Sequence, residues 1–275
     1  MLLGLIGNPV SMSWSDMLFN TIFRLEDSGN LYLAANVAPE SVPSLLNIKL
    51  CPFGAFNVTA PYKETVLLNI PDRMPAVWKI GSTNLVVRNK ESFMAHNTDY
   101  YGFLKTLIKN DVSIDGKDVA ICGTGGVART VLYSILTEFS PESVHILSRN
   151  PASAVKRFSG TSMFSSIKVG GYDEKNDFDV IVNCTSIGMR RDDPSPVGSG
   201  RFRKGSIAID LTYQNPVTAF MKNAIEKGGM GINGRDMFFA QAMETYRIVF
   251  GDYPKKDIFR KAEEAVISWA EEKLP

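Results

Sequence analysis

Three glycines separate an apolar run from an amphipathic segment at residues 117–129, KDVAICGTGGVAR. The order predicts a buried strand, a tight turn and a helix, an arrangement that receives the pyrophosphate of a dinucleotide. Gly123 would allow the turn, and Gly125 would let backbone N–H groups approach the phosphates. Ala128 would pack the helix on the strand. Similar turns also bind flavins and methyl donors or serve a purely structural purpose.

A basic residue follows the next predicted strand, in the sequence Leu147, Ser148, Arg149, Asn150. An NAD site has an acidic residue at this point, which binds the ribose hydroxyls, whereas arginine favours the 2′-phosphate of NADP. Two further cations, Lys156 and Arg157, follow on the next predicted helix. This pattern favours NADP over NAD, and a solvated loop arginine is the alternative.

A lysine and an aspartate are candidates for proton transfer. Lys63 lies in the first turn of a helix predicted from Pro61, where the positive end of the helix dipole would disfavour its ammonium form. Asp99 follows Thr98 at the start of another predicted helix, where an acid is also expected as a cap. Taken singly, Lys63 is also explained as a surface lysine and Asp99 as a capping residue.

Two serines, Ser13 and Ser15, precede the first predicted helix. Their hydroxyls and the N–H groups of a helix start suit a carboxylate ligand. Ser15 acting as an N-cap, with Ser13 as an idle neighbour, explains the spacing equally well.

The elements that would position these residues alternate between strand and helix. The predicted strands cover residues 2–6, 31–38, 54–61, 83–88 and 92–96. The predicted helices cover about 16–26, 39–50 and 61–70, and another follows the HNTD sequence at 96–99. This alternation predicts an α/β fold with a largely parallel sheet covered on both faces.

A second alternating series begins with the glycine turn. It comprises a helix over 130–139, strands at 143–150, near 167, at 178–185 and at 207–213, and helices from 151 and over 217–227. This series predicts a doubly wound nucleotide-binding domain. Two last helices, at about 236–250 and 255–273, are expected to pack on the first domain.

The composition excludes several classes of function. The chain has 275 residues, 44% of them hydrophobic, and a formal net charge of +1, so no global field attracts nucleic acid or an anionic membrane. Three dispersed cysteines without C-x-x-C spacing indicate reduced thiols in a cytoplasmic protein. The start MLLGLIGNPV is not expected to be a signal peptide, and no apolar run reaches membrane-spanning length. With two histidines, no histidine-rich metal site is expected.

Nine stretches in order resemble the shikimate dehydrogenase family over essentially the whole chain. They are GNPVSMSWSDMLFN, GAFNVTAPYK, IGSTNL, HNTDYYG, GTGGVAR, SRN, VNCTSIGM, DLTYQNPVT and GRDMFFAQA. The resemblance implies two α/β domains with a cleft between them. Residues 1–101 and about 236–275 would form the substrate domain, and residues 102–235 the Rossmann-like NADP-binding domain. The implied reaction is reversible NADPH-dependent reduction of 3-dehydroshikimate to shikimate, a step of chorismate and aromatic amino-acid biosynthesis.

The resemblance also implies roles for individual residues. Lys63 and Asp99 would be the catalytic pair at the reacting oxygen. The substrate carboxylate would be held by Ser13 and Ser15, and its ring and hydroxyls by Thr59, Asn84, Tyr213 and Gln241. The cofactor would contact Gly123, Thr124, Gly125, Gly126 and Val127 at its pyrophosphate, Ser148, Arg149 and Asn150 at its 2′-phosphate, and Thr185, Leu211 and Gly234 near its nicotinamide.

The chain departs from the family pattern at four positions. Met12 stands where members usually have histidine, and Asp16 stands where they usually have proline. A carboxylate at Asp16 would repel a substrate carboxylate or occupy N–H groups of the helix start. Ser148 replaces a usual asparagine and Asn150 a usual threonine, so binding of the 2′-phosphate would depend more heavily on Arg149.

Three other functions fit parts of the sequence. A quinate and shikimate dehydrogenase using NAD would share the fold, but the serine pair and Arg149 favour shikimate and NADP. A non-catalytic dinucleotide or metabolite sensor would not need both Lys63 and Asp99. A methyltransferase would have an acid in place of Arg149 and would leave Lys63 and the serines unexplained. The sequence is compatible with either a monomer or a homodimer.

Overall fold

The computed structural model describes residues 1–173 and 175–273. These residues form two compact units, each with its own six-stranded sheet. The first unit contains Met1–Thr98 and the chain from Gln241 onward, and the second contains Asp99–Ala240. The two boundaries lie within helices Thr98–Lys109 (α4) and Arg235–Phe250 (α8), as do the boundaries expected near 101 and 236. The assignment of a ligand to each unit stays a prediction.

The sheet of the first unit is largely parallel, as the sequence predicts. Its strands are β1 (Leu2–Gly7), β2 (Leu31–Asn36), β3 (Ala55–Val58), β4 (Asp72–Arg73), β5 (Leu85–Arg88) and β6 (Phe93–His96). Their order in the sheet is β2-β1-β3-β5-β6-β4. Among these six strands, β5 alone runs against its neighbours, because it pairs in antiparallel fashion with both β3 and β6. The hairpin β5–β6 is the strand pair expected at residues 83–96.

The helices of the first unit differ more from expectation. Its helical segments are α1 (Ser15–Leu25), a 3-10 turn at Pro39–Ser41 leading into α2 (Val42–Leu45), a 3-10 helix at Thr65–Asn69, α3 (Pro75–Ile80), α8 and α9 (Lys256–Lys273). The helix expected over 39–50 is therefore much shorter. The sequence does not predict β4 or α3.

The α-helix expected from Pro61 is absent, and residues 60–64 form a turn. Tertiary hydrogen bonds explain the difference. The N–H of Thr83 donates to the carbonyl oxygen of Lys63 at 2.8 Å, and the buried Tyr62 hydroxyl donates to the carbonyl of Val37 at 2.5 Å. The N–H of Leu67, which an α-helix from Pro61 would pair with the Lys63 carbonyl, donates instead to the carbonyl of Glu64 at 3.2 Å. The prediction that Lys63 lies in the first turn of a helix is therefore wrong.

The C-terminal helices pack on the first unit, as expected. Helix α9 lies against α1. The Phe250 ring of α8 meets the Phe23 ring of α1 edge-on at 5.8 Å, and the Tyr246 hydroxyl lies 3.0 Å from each carboxylate oxygen of Glu26. These contacts join residues more than two hundred positions apart in sequence, so the first unit is built from both ends of the chain.

The second unit is the doubly wound domain that the sequence predicts. Its strands are β7 (Asp118–Cys122), β8 (Ser143–Leu147), β9 (Lys168–Gly170), β10 (Phe178–Asn183), β11 (Phe202–Asp210) and β12 (Met230–Ile232), and its further helices are α5 (Gly126–Glu138), α6 (Pro151–Phe158) and α7 (Ala219–Glu226). All strand pairs are parallel, and the order is β12-β11-β10-β7-β8-β9. The glycine motif predicts a helix opened by Val127, one residue after the observed start of α5, and the sequence does not predict β12.

The order of strands reverses direction between β7 and β10. From β7 the chain moves outward through β8 and β9, and from β10 it moves outward through β11 and β12. Strand β7 is buried on both faces, with Val119 and Ile121 in one apolar cluster and Ala120 and Cys122 in another. In sheets of this kind ligands bind beside the carboxyl ends of the strands at the point of reversal.

Candidate active site

The glycine turn lies at the carboxyl end of β7, at this point of reversal. Gly123 has a φ of +107°, a conformation that side-chain-bearing residues rarely adopt. A Cβ atom at Gly123 would lie 3.2 Å from Cγ2 of Thr185 and 3.3 Å from the carbonyl oxygen of Cys184. Glycine is therefore required here both by the turn and by the close approach of the chain that follows β10. The structure brings together two predicted cofactor residues, Gly123 and Thr185.

The next glycine, Gly125, has a different environment. Its φ is −78°, and an added Cβ would find nothing within 4 Å. Helix α5 begins at Gly126, and its 13 residues include the fully buried Ala128. The open space beside Gly125 and the N–H groups of Thr124, Gly125, Gly126 and Val127 at the helix start fit a phosphate group.

The loop after β8 presents Arg149 to solvent. The Asn150 side chain accepts the N–H of Ser153 at 2.9 Å and so caps α6, while the Ser148 hydroxyl accepts the N–H of Asn150 at 3.2 Å. Both side chains therefore stabilise the loop that carries the arginine. Nearby, the Arg157 guanidinium donates to the carbonyl of Thr124 at 3.0 Å and connects α6 to the glycine turn.

A buried carboxylate network supports the loops after β10 and β11. Asp210 accepts hydrogen bonds from Asn183 at 3.0 Å, from the Thr212 hydroxyl at 2.9 Å and from Thr218 at 2.7 Å. Burial raises the pKa of Asp210, and these hydrogen bonds oppose the rise. The side-chain oxygen of Asn183 in turn accepts the Thr185 hydroxyl at 2.7 Å. The network fixes Thr185 beside Gly123.

Leu211 and Gly234, two other predicted cofactor residues of the second unit, are also in contact. Gly234 lies so close to the backbone of Leu211 that no side chain fits between them, and its N–H donates to the carbonyl of Thr212 at 2.9 Å. Tyr213 is half-buried, and its ring lies 4.7 Å from that of Phe238. The loop after β11 therefore carries Leu211 and Tyr213 in fixed positions.

In the first unit, Ser13 and Ser15 lie side by side. The Ser13 hydroxyl donates to the Ser15 hydroxyl at 3.1 Å and accepts the Ser15 N–H at 3.2 Å. Helix α1 begins at Ser15 with Trp14 as its N-cap residue, so the expected N-cap role of Ser15 is wrong by one position. The arrangement keeps both hydroxyls at the start of a helix, where an anion is favoured.

Asp16 faces a different part of the first unit. Its carboxylate accepts the N–H of Met17 at 2.9 Å, so it does occupy one donor of the helix start. Its side chain also lines a cavity of about 380 Å³ between α1 and α9, together with Asn20, Arg24 and Trp269. The serine pair is not among the residues that line this cavity.

Thr59 and Lys63 follow the carboxyl end of β3. The N–H of Thr59 donates to the carbonyl of Ile6 at 2.9 Å, which continues the pairing of β3 with β1. The Thr59 side chain lies against Gly7, in space that a larger residue would fill. Lys63 is half-buried in the turn that follows. Both residues thus lie beyond the carboxyl edge of the sheet.

The buried residues Asn84 and Thr98 form a polar cluster with the half-buried Gln241 in the first unit. The Asn84 side-chain oxygen accepts the N–H of Thr98 at 2.7 Å, and its nitrogen donates to the Thr98 hydroxyl at 2.8 Å and to the Gln241 oxygen at 3.4 Å. The Thr98 hydroxyl lies 3.3 Å from the same Gln241 oxygen. Asp99 comes next in the chain and is 6% exposed in the first turn of α4.

His96 precedes this cluster at the end of β6. Its carbonyl oxygen accepts the Thr83 hydroxyl at 2.6 Å and the N–H of Asn84 at 3.3 Å. Burial lowers the pKa of the imidazole below its ordinary value of 6.5, the positive charge of Arg247 lowers it further, and Glu244 opposes both effects. The neutral imidazole is therefore favoured in the folded protein.

Comparisons with known proteins agree with this geometry. Residues 5–86 match the family model described as the shikimate dehydrogenase substrate binding domain. Over 262 residues, 94% of each chain, the sequence is 36% identical to "Shikimate dehydrogenase (NADP(+))" of Thermoplasma acidophilum. The chain belongs to the shikimate dehydrogenase family.

Solved structures of the family have the same fold. A chorismate mutase/shikimate 5-dehydrogenase fusion protein from Clostridium acetobutylicum is 30% identical, with a TM-score of 0.85 over 98% of each chain. A shikimate dehydrogenase solved in complex with NADP+ is 26% identical, with a TM-score of 0.85 over 96% of this chain and 94% of that one. These matches confirm the predicted α/β fold with two largely parallel sheets.

Two buried residues of this shikimate dehydrogenase fold were missed in the sequence. Thr245 and Tyr32 are each 1% exposed and are hydrogen-bonded to Asn57, which is 7% exposed. Thr245 stands four positions after Gln241, on the same face of α8, and this spacing was a usable signal. No sequence signal marks Tyr32, because tyrosine is common in strands and its hydrogen-bond partner Asn57 is 25 positions away in sequence.

The described residues contain neither a cluster of metal ligands nor a membrane-spanning helix. Within residues 1–173 and 175–273, no cluster of three or more histidine, cysteine, aspartate or glutamate side chains is placed to hold a metal ion. In the same part of the chain, no helix combines the length and the apolar character needed to cross a membrane.

Proposed function

We propose that this protein catalyses the reversible NADPH-dependent reduction of 3-dehydroshikimate to shikimate, a step of chorismate and aromatic amino-acid biosynthesis. The observation that carries the proposal is the 36% identity to an NADP-dependent shikimate dehydrogenase over 94% of both chains. The fold and the polar residues at the strand ends support it. The three cysteines are free, buried thiols, which suits a reducing compartment, and we place the reaction in the cytoplasm.

The second unit fits NADP. Gly125 leaves open space at the start of α5, where the helix dipole favours the pyrophosphate. Arg149 is exposed at the end of β8 and would pair with the 2′-phosphate, on a loop fixed by Ser148 and Asn150. Thr185, Leu211 and Gly234 would adjoin the nicotinamide. When bound, NADPH supplies the hydride that reduces the carbonyl carbon.

Lys63 would handle the proton of the reaction. In the reduction, its ammonium group would stabilise the negative charge that develops on the carbonyl oxygen and then donate a proton to it. In the oxidation, the neutral amine would accept the hydroxyl proton. Asp99 would accept a hydrogen bond from a substrate hydroxyl and so orient the reacting carbon.

The remaining polar residues would bind the substrate. The adjacent hydroxyls of Ser13 and Ser15 at the start of α1 would donate to the substrate carboxylate. Thr59, Asn84, Gln241 and Tyr213 would hydrogen-bond the ring hydroxyls. The 3.4 Å contact between Asn84 and Gln241 is the longest in its cluster, and a substrate oxygen would replace it most readily.

The test is the absorbance of reduced nicotinamide when the purified protein is mixed with shikimate and NADP. We expect rapid, shikimate-dependent formation of NADPH. Parallel reactions with quinate and with NAD measure specificity, and both should be slower. If shikimate gives no reduced cofactor with either nucleotide, the proposal is wrong and a binding function becomes the better explanation. If quinate reacts as fast as shikimate, the substrate assignment must be broadened.

A further inference from the structure

A buried hydrogen-bonded series connects β2, β3, α8 and α4 in the first unit. We call it the Tyr32 series, and it consists of Tyr32, Asn57, Thr245 and Thr98. Its four residues are between 1% and 7% exposed. The bonds run from the Tyr32 hydroxyl to Asn57 at 2.8 Å, from Asn57 to Thr245 at 3.2 Å, and from Thr245 to Thr98 at 3.3 Å.

The Asn57 side chain can take only one orientation. Its nitrogen donates to the backbone carbonyl of Asn84 at 3.0 Å as well as to the Thr245 hydroxyl. A rotated amide would place two carbonyl oxygens against each other at that distance, which is repulsive. The oxygen of Asn57 therefore has to accept, and the Tyr32 hydroxyl donates to it.

The direction of the remaining bonds is set at Thr98. Its hydroxyl donates to the Gln241 oxygen at 3.3 Å and accepts from the Asn84 nitrogen at 2.8 Å. Because the single proton of Thr98 is used for Gln241, the Thr245 hydroxyl is the donor in the contact between the two threonines. A hydroxyl has one donor and two acceptor positions, and all three are used at Thr98.

We propose that Tyr32 and Thr245 are positioning residues for the substrate site. Through Thr98 they fix the oxygen of the Gln241 carboxamide toward the protein, which presents its nitrogen as the donor to a substrate hydroxyl oxygen. Thr245 also anchors the Thr98 side chain, and Asp99 is the next residue in the chain. The inference deepens the proposed function, because it concerns how the shikimate hydroxyls are recognised.

The first test separates a positioning role from a structural one. In Thr245→Val, we expect KM for shikimate to rise about tenfold, because one buried hydrogen bond is lost. The values of kcat and of KM for NADP should change less than about twofold. Thr245→Ser retains the hydroxyl and should restore KM. Thr106→Val is the matched control, because Thr106 is also fully buried on a helix but donates to the carbonyl of Gly102. An unchanged KM for shikimate in folded Thr245→Val would overturn the proposal.

The second test does not depend on activity. The side-chain NH2 signals of Gln241, assigned by their loss in Gln241→Met, are followed by NMR in isotope-labelled protein. Tyr32→Phe removes the first donor of the Tyr32 series and should shift the Gln241 signals, whereas Thr106→Val should leave them in place. If the Gln241 signals do not move in Tyr32→Phe, the series does not orient Gln241. If they move but the wild type does not oxidise shikimate, the series is supported and the proposed function fails.

Discussion

The glycine turn of the second unit and the polar cluster of the first are built on different principles. The turn uses backbone: its conformation depends on Gly123 with φ of +107° and on the helix start at Gly126. The cluster uses side chains, and one of its hydrogen bonds joins Asn84 to Gln241 across 157 positions of sequence. The adjoining Tyr32 series joins Asn57 to Thr245 across 188 positions. One site is local in sequence, and the other exists only after folding.

This difference determines how each site tolerates substitution. A backbone site is sensitive to any residue that cannot adopt its φ and ψ angles or that fills the space of the ligand. A side-chain site is sensitive to loss of particular donors and acceptors, since each buried partner left unpaired costs free energy. Substitutions in the turn and in the cluster should therefore have different effects.

The largest effect is expected at Lys63. Lys63→Ala removes the proposed proton donor, and kcat should fall by about two or more orders of magnitude while substrate binding changes much less. Steady-state rates in both directions and shikimate binding by calorimetry measure the two quantities. Lys79→Ala, at an exposed lysine of α3, is the control and should retain full turnover. Near-normal turnover in Lys63→Ala would remove Lys63 from the mechanism.

The next effect is expected at Arg149. Arg149→Gln removes the charge proposed to pair with the 2′-phosphate, so KM for NADP should rise by about tenfold or more while KM for NAD changes little. Lys168→Gln is the control. Lys168 is an exposed cation at the start of β9, whereas Arg149 follows the carboxyl end of the neighbouring strand β8. Equal changes in both cofactors would show that Arg149 does not read the 2′-phosphate.

A pair of glycine variants separates turn geometry from ligand space. Gly123→Ala should lower the free energy of unfolding by about 1–2 kcal/mol, because its φ is unfavourable for alanine and its Cβ would meet Thr185. Gly125→Ala should leave stability nearly unchanged, since its Cβ meets no atom within 4 Å, but should raise KM for NADP. Urea unfolding and cofactor kinetics on both variants give the comparison. A lower free energy of unfolding in Gly125→Ala, with that of Gly123→Ala unchanged, would contradict this assignment.

The smallest effect concerns His96 and pH. Its pKa is lowered in the folded protein, so the unfolded chain takes up a proton first as the pH falls through 6.5. The free energy of unfolding should therefore decrease as the pH falls below that value. Urea unfolding of the wild type and of His96→Gln at pH 7.5 and about pH 5.5 tests this. The substitution should reduce the pH dependence, and an unchanged slope would exclude His96 as its source.

The two sites also differ in how far the sequence predicts them. Glycines, a following helix and a downstream arginine are visible within about thirty residues, so the sequence placed the turn and Arg149 correctly at the ends of β7 and β8. The failures lie where tertiary contacts override local preference. The helix expected from Pro61 is replaced by a turn because the Lys63 carbonyl accepts the Thr83 N–H, a bond that no local pattern reveals.

The polar cluster shows the same limit. Asn84 and Gln241 were named from the resemblance to the family, but nothing in the sequence indicates that Thr98 lies between them. Tyr32 and Thr245 were missed because each looks like an ordinary buried residue until the hydrogen bonds of Asn57 are known. Side-chain orientation depends on several partners at once, and those partners come from strands and helices distant in sequence.

The contact of Arg157 with the carbonyl of Thr124 has a thermodynamic consequence. Together with the bond from the Gly123 N–H to the carbonyl of Leu147, it holds the glycine turn in place through hydrogen bonds made by the protein alone. The dinucleotide then meets a receptor that is already ordered, and little conformational entropy is lost on association. Heat released on cofactor binding should therefore reflect new contacts more than loop rearrangement.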